Sequence, residues 1–96
     1  APLPPTDFTA LGGAGQASLS WRNPAATFAY IRVYRGPTAD FGDASLISGD
    51  IVGGLGEVMS LDDTSLSPAT YYYFIRSFSA SNIPSSVVGP QSAVVT

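Results

Sequence analysis

Apolar and polar side chains alternate along much of this chain. Between Gln16 and Arg22, the apolar residues Ala17, Leu19 and Trp21 are separated by single polar residues. A two-residue period is typical of a strand with one buried face, because successive side chains of a strand point to opposite sides. The pattern therefore predicts a strand at 16–22, with Trp21 in the core rather than stacked on a ligand.

Six further segments have the composition or alternation of strands. They are Phe8–Ala10, Thr27–Arg35, Ala44–Ser48, Glu57–Leu61, Tyr71–Ser77 and Val87–Val95. Gly, Pro, Asn and Asp, the residues that turns favour, are concentrated between them. Pro90 requires the last strand to be an edge strand or to contain a bulge, because proline donates no backbone hydrogen bond. Short strands at this spacing, with no helical periodicity, predict a two-layer antiparallel β-sandwich.

A corner motif precedes the longest aromatic strand. Leu66-x-Pro68 is followed by Ala-Thr and then by Tyr71. This is the pattern of a tyrosine corner, in which a tyrosine hydroxyl bonds to the backbone a few residues upstream. Leu66, Pro68 and Tyr71 are therefore predicted structural residues, together with Trp21.

The register of the strand after the corner follows from the cost of burying a charge. With Tyr71, Tyr73 and Ile75 inward, Arg76 lies in solvent. The opposite register would bury Arg76 without an evident partner, at a cost of several kcal/mol. We therefore assign the corner to Tyr71, and Tyr72 is the alternative if the register is inverted.

Several aromatic residues are predicted to point away from the core. Phe28, Tyr30, Arg32 and Tyr34 share the outer face of the third strand, and Tyr72 lies outward after the corner. Exposed aromatic faces can hold sugars, so Tyr30, Tyr34 and Tyr72 are candidate ligand-facing residues. We favour the simpler interpretation that these tyrosines pair with neighbouring strands across the sheet.

The composition excludes several kinds of function. The chain has 96 residues, no Cys, no His and a net charge of −3, and its only cations are four arginines. Without Cys there are no disulfides or thiolate metal sites, and without His the usual general base is missing. We expect no catalytic residue and no cofactor. The negative charge disfavours nucleic acid and anionic membranes, and no apolar run is long enough to span a bilayer.

The aspartates of the irregular middle segment are the only metal candidates. Asp40, Asp43 and Asp50 could supply the oxygen ligands that calcium prefers. Their spacing matches no ordered loop of ligands, and the same holds for Asp62-Asp63. We interpret all five as solvated turn residues that bind backbone groups, and we predict no metal site.

The prolines at the start of the chain predict a linker. Pro2, Pro4 and Pro5 favour an extended, semi-rigid segment, so we assign residues 1–5 to a linker and 6–96 to one domain. No Met begins the chain and no signal-peptide pattern is present, so we expect a module of a longer polypeptide.

Nearly the whole chain resembles a fibronectin type III domain. The residues that carry the resemblance are Pro4-Pro5, Leu19-Ser20-Trp21, Ile31–Arg35, Leu61-x-Asp63, Leu66-x-Pro68, Tyr71 and Val94–Thr96. The resemblance implies a seven-stranded antiparallel immunoglobulin-like β-sandwich, often used in tandem for protein–protein interaction. The family usually has one more residue between the proline and the corner tyrosine. The Arg-Gly-Asp tripeptide of integrin-binding members is absent, so that activity is not expected.

A narrower resemblance is to modules of phage tail-tip and host-specificity proteins. It rests on Arg32–Gly36, Asp40–Ala44 and Pro68–Tyr73. It implies a non-catalytic spacer or interaction module in a virion tail, with neighbouring domains, other tail proteins, or a cell-surface glycan or protein as partners. The alternative is an extracellular accessory module of a secreted bacterial enzyme or adhesin, with weak carbohydrate contact.

The assignment of the aspartates to turns predicts that the domain does not depend on metal. Thermal melts with added calcium and with excess chelator should give the same midpoint. A fall of several degrees with chelator would show that the loop containing Asp40, Asp43 and Asp50 had been misinterpreted.

Overall fold

Two antiparallel β-sheets pack face to face in the computed structural model, which describes all residues 1–96. The strands are β1 (Thr6–Gly13), β2 (Gln16–Arg22), β3 (Tyr30–Gly36), β4 (Ser45–Leu46), β5 (Val58–Asp63), β6 (Ala69–Phe78) and β7 (Val88–Val95). One sheet has the order β1-β2-β5 and the other β4-β3-β6-β7. The predicted all-β sandwich of seven antiparallel-paired strands is confirmed. The single helical element is a 3-10 turn at Phe41–Asp43, and no helix is long and apolar enough to cross a membrane.

The core lies between the sheets and contains the inward residues of both. Its buried members are Phe8, Ala17, Leu19, Trp21, Ile31, Val33, Tyr73, Ile75, Ala93 and Val95. They alternate along their strands because every second side chain of a strand faces the opposite sheet. Leu61, Leu66 and Tyr71 pack against this cluster and are partly buried.

Trp21 is buried together with a polar partner. Its Nε1 donates to Asn23 Oδ1 at 3.0 Å, and Asn23 Nδ2 donates to the Gly54 carbonyl at 3.0 Å. Asn23 is itself buried, so these two bonds avoid the cost of unpaired polar groups in the core. The sequence analysis had treated Asn23 only as the end of a strand.

Two predicted strands, the third and the fourth, differ clearly in extent from those of the structure. β3 begins at Tyr30 rather than at residue 27, so Phe28 precedes the strand and packs against the core instead of pointing outward. β4 is only two residues long, Ser45–Leu46, because only Tyr34 and Arg35 of β3 pair with it.

Pro90 lies in strand β7 at the edge of its sheet, where a residue without a backbone N–H donor is tolerated.

The proline segment at the start of the chain is held against the sandwich. Pro5 is fully buried, and the Leu3 carbonyl accepts a hydrogen bond from Ser77 Oγ near the end of β6. Strand β1 begins directly after this segment, at Thr6. Packing of the chain onto the domain therefore begins before the first strand.

β1 and β7 approach each other closely at the edge where the two sheets meet. Thr96 N donates to the Gly13 carbonyl at 3.1 Å, and Gly15 N donates to the Thr96 carbonyl at 3.0 Å. Beside these bonds, a Cβ atom at Gly12 would overlap the backbone carbonyl of Val94. Glycine is therefore required at position 12 for the two backbones to lie this close.

Gly12→Ala should destabilise the domain by about 1–3 kcal/mol, because the added methyl group must push β1 away from β7. Chemical denaturation measures this as a lower free energy of unfolding. Gly49→Ala is the matched control, since a Cβ atom there meets nothing within 4 Å. Equal effects of the two substitutions would contradict the close approach.

Candidate interaction surfaces

The outer face of the four-stranded sheet carries two rows of aromatic and arginine side chains. Cross-strand pairing places Tyr30 opposite Phe78, Arg32 opposite Arg76, and Tyr34 opposite Phe74. We call these six residues the aromatic–arginine face. Alternation along β3 and β6 puts them on the side away from the core.

One half of this face is closed by Arg32. The rings of Tyr30 and Phe78 stack with centroids 5.0 Å apart and planes 11° apart. Arg32 Cζ lies 4.9 Å from the Tyr30 centroid and 5.0 Å from that of Phe78, and Arg32 Nε donates to Asp50 Oδ1 at 2.8 Å. The Tyr30 hydroxyl donates to Asn82 Oδ1, and the residue is only 8% exposed. Tyr30 was only a candidate ligand-facing residue, and Arg32 covers its ring.

The other half is covered by Phe41, which comes from the 3-10 turn. Its ring contacts Tyr34 edge-to-face at 5.1 Å and Phe74 at 5.4 Å, and Arg76 Cζ lies 5.6 Å from its centroid. Phe74 is therefore buried although it points away from the core. Tyr34 stays half-buried, and this burial raises the pKa of its hydroxyl.

Arg76 is not in solvent as predicted, because loop and turn residues cover it. It is half-buried, and its Nε and Nη2 both donate to the Ser85 carbonyl, at 2.9 Å and 2.8 Å. It has no carboxylate partner within 4.0 Å, unlike the other three arginines. Tyr73 and Ile75 nevertheless point into the core, in the register that the sequence favoured.

The corner hydrogen bond is made by Tyr71. Its hydroxyl donates to the Ser67 carbonyl, four residues upstream, at 2.8 Å. Leu66 packs on the core and its backbone N donates to the Gly15 carbonyl, whereas Pro68 is exposed. Tyr72 is half-buried on the outer side of β6.

A partly buried carboxylate connects the two sheets beside the corner. Asp63 Oδ2, at the end of β5, accepts from Arg35 Nη1 and from the Tyr73 hydroxyl, both at 2.7 Å. Arg35 and Tyr73 belong to the opposite sheet. Burial, and then the hydrogen bond to Asp63, raise the pKa of Tyr73 well above its ordinary value.

The sequence analysis misassigned Asp63. We had interpreted it as a solvated turn residue, but its side chain is only 13% exposed. Two signals pointed to the inward position. It continues the alternation of Met59 and Leu61, and it belongs to the Leu61-x-Asp63 motif of the family resemblance.

The aspartates of the middle segment each have a separate role. Asp40 Oδ1 accepts from Gly42 N at 2.9 Å and caps the 3-10 turn. Asp43 Oδ2 accepts from Thr38 Oγ1 at 2.7 Å, and Asp50 pairs with Arg32. No three acidic side chains come together in a group that could hold a metal ion.

A groove of about 270 Å³ lies beside the corner, where the sequence analysis predicted no site. The lining residues whose side chains can form hydrogen bonds are Arg35, Asp43, Ser45, Thr70 and Tyr71. We call it the corner groove. It contains none of the three tyrosines that were candidate ligand-facing residues.

Comparison with known proteins identifies the fold. No protein-family model matches the sequence, and no curated protein matches it. An Fn3-like protein from Clostridium thermocellum superposes with a TM-score of 0.75 and 22% identity, covering 100% of this chain and 93% of its own. A computer-based redesign of a β-sandwich protein superposes with a TM-score of 0.66 and 22% identity, covering 96% of this chain and 86% of its own. The fold is fibronectin type III-like, as the sequence resemblance implied.

Removal of single tyrosine hydroxyls should affect stability in a definite order. Tyr73→Phe should lower the free energy of unfolding by about 1–3 kcal/mol, because it breaks a partly buried hydrogen bond to a charged acceptor. Tyr71→Phe should cost about 0.5–1.5 kcal/mol, since its bond to Ser67 lies at the surface. Tyr72→Phe is the control, because its hydroxyl makes no hydrogen bond within the protein. A larger loss for Tyr72→Phe than for Tyr71→Phe would contradict the corner assignment.

Stability should also fall at alkaline pH. Because the pKa of Tyr73 is raised in the folded state, the unfolded chain loses this proton first. The stability that the raised pKa contributes is fully present below the ordinary tyrosine pKa of about 10. Above that pH the free energy of unfolding declines by up to about 1.4 kcal/mol per pH unit. Denaturation at several alkaline pH values should give a shallower decline for Tyr73→Phe than for the wild type. Parallel curves would contradict the raised pKa.

Proposed function

We propose that this domain is a non-catalytic spacer and interaction module of a phage or phage-like tail protein that takes part in host recognition. Its partners would be neighbouring domains of the same polypeptide or other tail proteins, and its location the virion tail. The observation that carries the proposal is the position of the two terminal segments, which lie at opposite ends of the sandwich.

The separation of these segments can be estimated along strand β6, because both segments contact it. Leu3 bonds to Ser77 near the end of β6, whereas Val95 pairs with Ala69 at its start. Ser77 and Ala69 are eight residues apart in the strand, which corresponds to about 27 Å at the rise of an antiparallel strand. The longest dimension of the domain is 37 Å. A chain that enters at one end and leaves at the other spaces its neighbours by the length of the sandwich.

Both terminal segments are fixed to the domain, which a spacer needs in order to hold a direction. The entry is held by the Leu3–Ser77 bond and by the buried ring of Pro5. At the exit, Thr96 exchanges backbone hydrogen bonds with Gly13 and Gly15. These contacts favour a defined angle to a neighbouring domain over a freely jointed connection.

The tail assignment is supported by the resemblance of three segments that the fold brings to one side. Strand residues Arg32–Gly36 pair with the corner strand, and Phe41 from the Asp40–Ala44 turn packs on both strands. The third segment, Pro68–Tyr73, completes the wall of the corner groove. The absence of His and Cys supports a role without catalysis.

Small-angle scattering of two copies joined from Thr96 to Ala1 tests the spacer geometry. The tandem should have a maximum dimension of about twice the 37 Å of one domain. Replacing the joint by a long Gly/Ser linker gives the control, which should be more variable in length. A folded-back pair, with a maximum dimension near that of one domain, would contradict the spacer role.

The tail assignment requires a separate experiment on the source of the domain. An antibody against the folded domain should label purified phage or tail-like particles in electron micrographs, and mass spectrometry should recover domain peptides from them. Recovery only from a secreted enzyme or adhesin would overturn the tail assignment and support the accessory-module alternative.

A further inference from the structure

We propose that the corner groove binds one unit of an uncharged saccharide. This binding site goes beyond the spacer role and does not depend on it. The groove lies where the end of β3, the start of β4 and the start of β6 meet, and its volume is about 270 Å³. That volume lies just below the usual range of about 300–1,000 Å³ for small-molecule sites, so it suits a single sugar unit rather than a longer segment.

The groove offers unused hydrogen-bonding groups of both kinds. Arg35 uses only Nη1 on Asp63, which leaves Nε and Nη2 as donors. Asp43 uses Oδ2 to accept from Thr38, which leaves Oδ1 as an acceptor. The hydroxyls of Ser45 and Thr70 make no hydrogen bond within the protein, and each can donate and accept.

The charges around the groove favour an uncharged ligand. Asp63 already neutralises Arg35, so little positive charge remains to attract an anion. Asp43, which also lines the groove, would repel an anionic group, and Arg35 would repel a cation. Sugar hydroxyls both donate and accept, and they match a lining of mixed donors and acceptors without adding charge.

The groove also has a rigid apolar wall. Tyr71 lines it, and the bond from the Tyr71 hydroxyl to Ser67 fixes the orientation of its ring. Arg35 lies over one face of the same ring, with its Cζ 5.6 Å from the centroid, so a sugar would contact the rest of the ring. A wall that is already ordered reduces the entropy lost on binding. The Tyr30 ring, by contrast, is stacked on Phe78 as well as covered by Arg32, and it offers no free face.

An NMR titration of the 96-residue domain tests the site. The probes are three uncharged oligosaccharides, namely maltotriose, cellotriose and triacetylchitotriose, together with glucuronate and inorganic phosphate as anions. At least one uncharged probe should shift the backbone amides of Gly36, Ser45, Thr70 and Tyr71, with a Kd on the order of 1 mM. Neither anion should shift them.

Variants of the groove lining identify which groups bind. Ser45→Ala and Thr70→Val should each weaken the Kd by about threefold to tenfold, the loss expected for one neutral hydrogen bond. Ser86→Ala and Thr27→Val are the matched controls at exposed positions outside the groove, and they should leave the Kd unchanged. Asp43→Asn should keep saccharide binding and allow glucuronate to bind. A thermal melt of each variant verifies that it is folded.

Four outcomes would overturn the proposal. The first is the absence of amide shifts with every uncharged probe at tens of millimolar. The second is a set of shifts centred on Tyr34 and Tyr72, which would place the sugar on the outer face of the sheet. The third is tighter binding of glucuronate or phosphate than of any uncharged probe by the wild type. The fourth is an unchanged Kd in both Ser45→Ala and Thr70→Val.

Discussion

The carboxylate of Asp63 joins the two sheets at the corner end of the sandwich, and three other features depend on it. It anchors the Tyr73 hydroxyl, whose ring is part of the core, and it holds Arg35 in place at 2.7 Å. Arg35 in turn lies against Tyr71 and lines the corner groove. Loss of this one carboxylate would leave a half-buried guanidinium without its counter-ion, which costs far more than loss of a surface ion pair.

The regular strands could be predicted from the sequence, because the alternation of apolar and polar residues that specifies a strand lies within that strand. Strand β2 has the bounds that the alternation of Ala17, Leu19 and Trp21 indicated, and Tyr73 and Ile75 point inward as the position of Arg76 required. The position of Asp63 could not be settled in the same way. An aspartate beside a turn has the same local sequence whether it is solvated or buried, and its partner Arg35 is 28 residues away and on the other sheet.

The surfaces were harder to predict, because residues from irregular segments form them. The outer face of the four-stranded sheet appeared exposed from the alternation of β3. In the structure, Phe41 and the two arginines cover most of its aromatic rings. The segment that contains Phe41 has no periodicity from which its packing could be inferred. The corner groove is formed in the same way, by residues brought together from several separate segments.

The position of β1 beside β7 has a mechanical consequence. Both strands run from the entry end of the domain to the exit end, so they lie side by side and point the same way. A pull on the two ends of the chain would draw β1 toward one end and β7 toward the other, along their common length. The contacts between them would then be loaded in shear and would have to yield together, instead of opening one after another. The absence of a side chain at Gly12, which lets these two backbones lie so close, would therefore help set the force that the domain can bear.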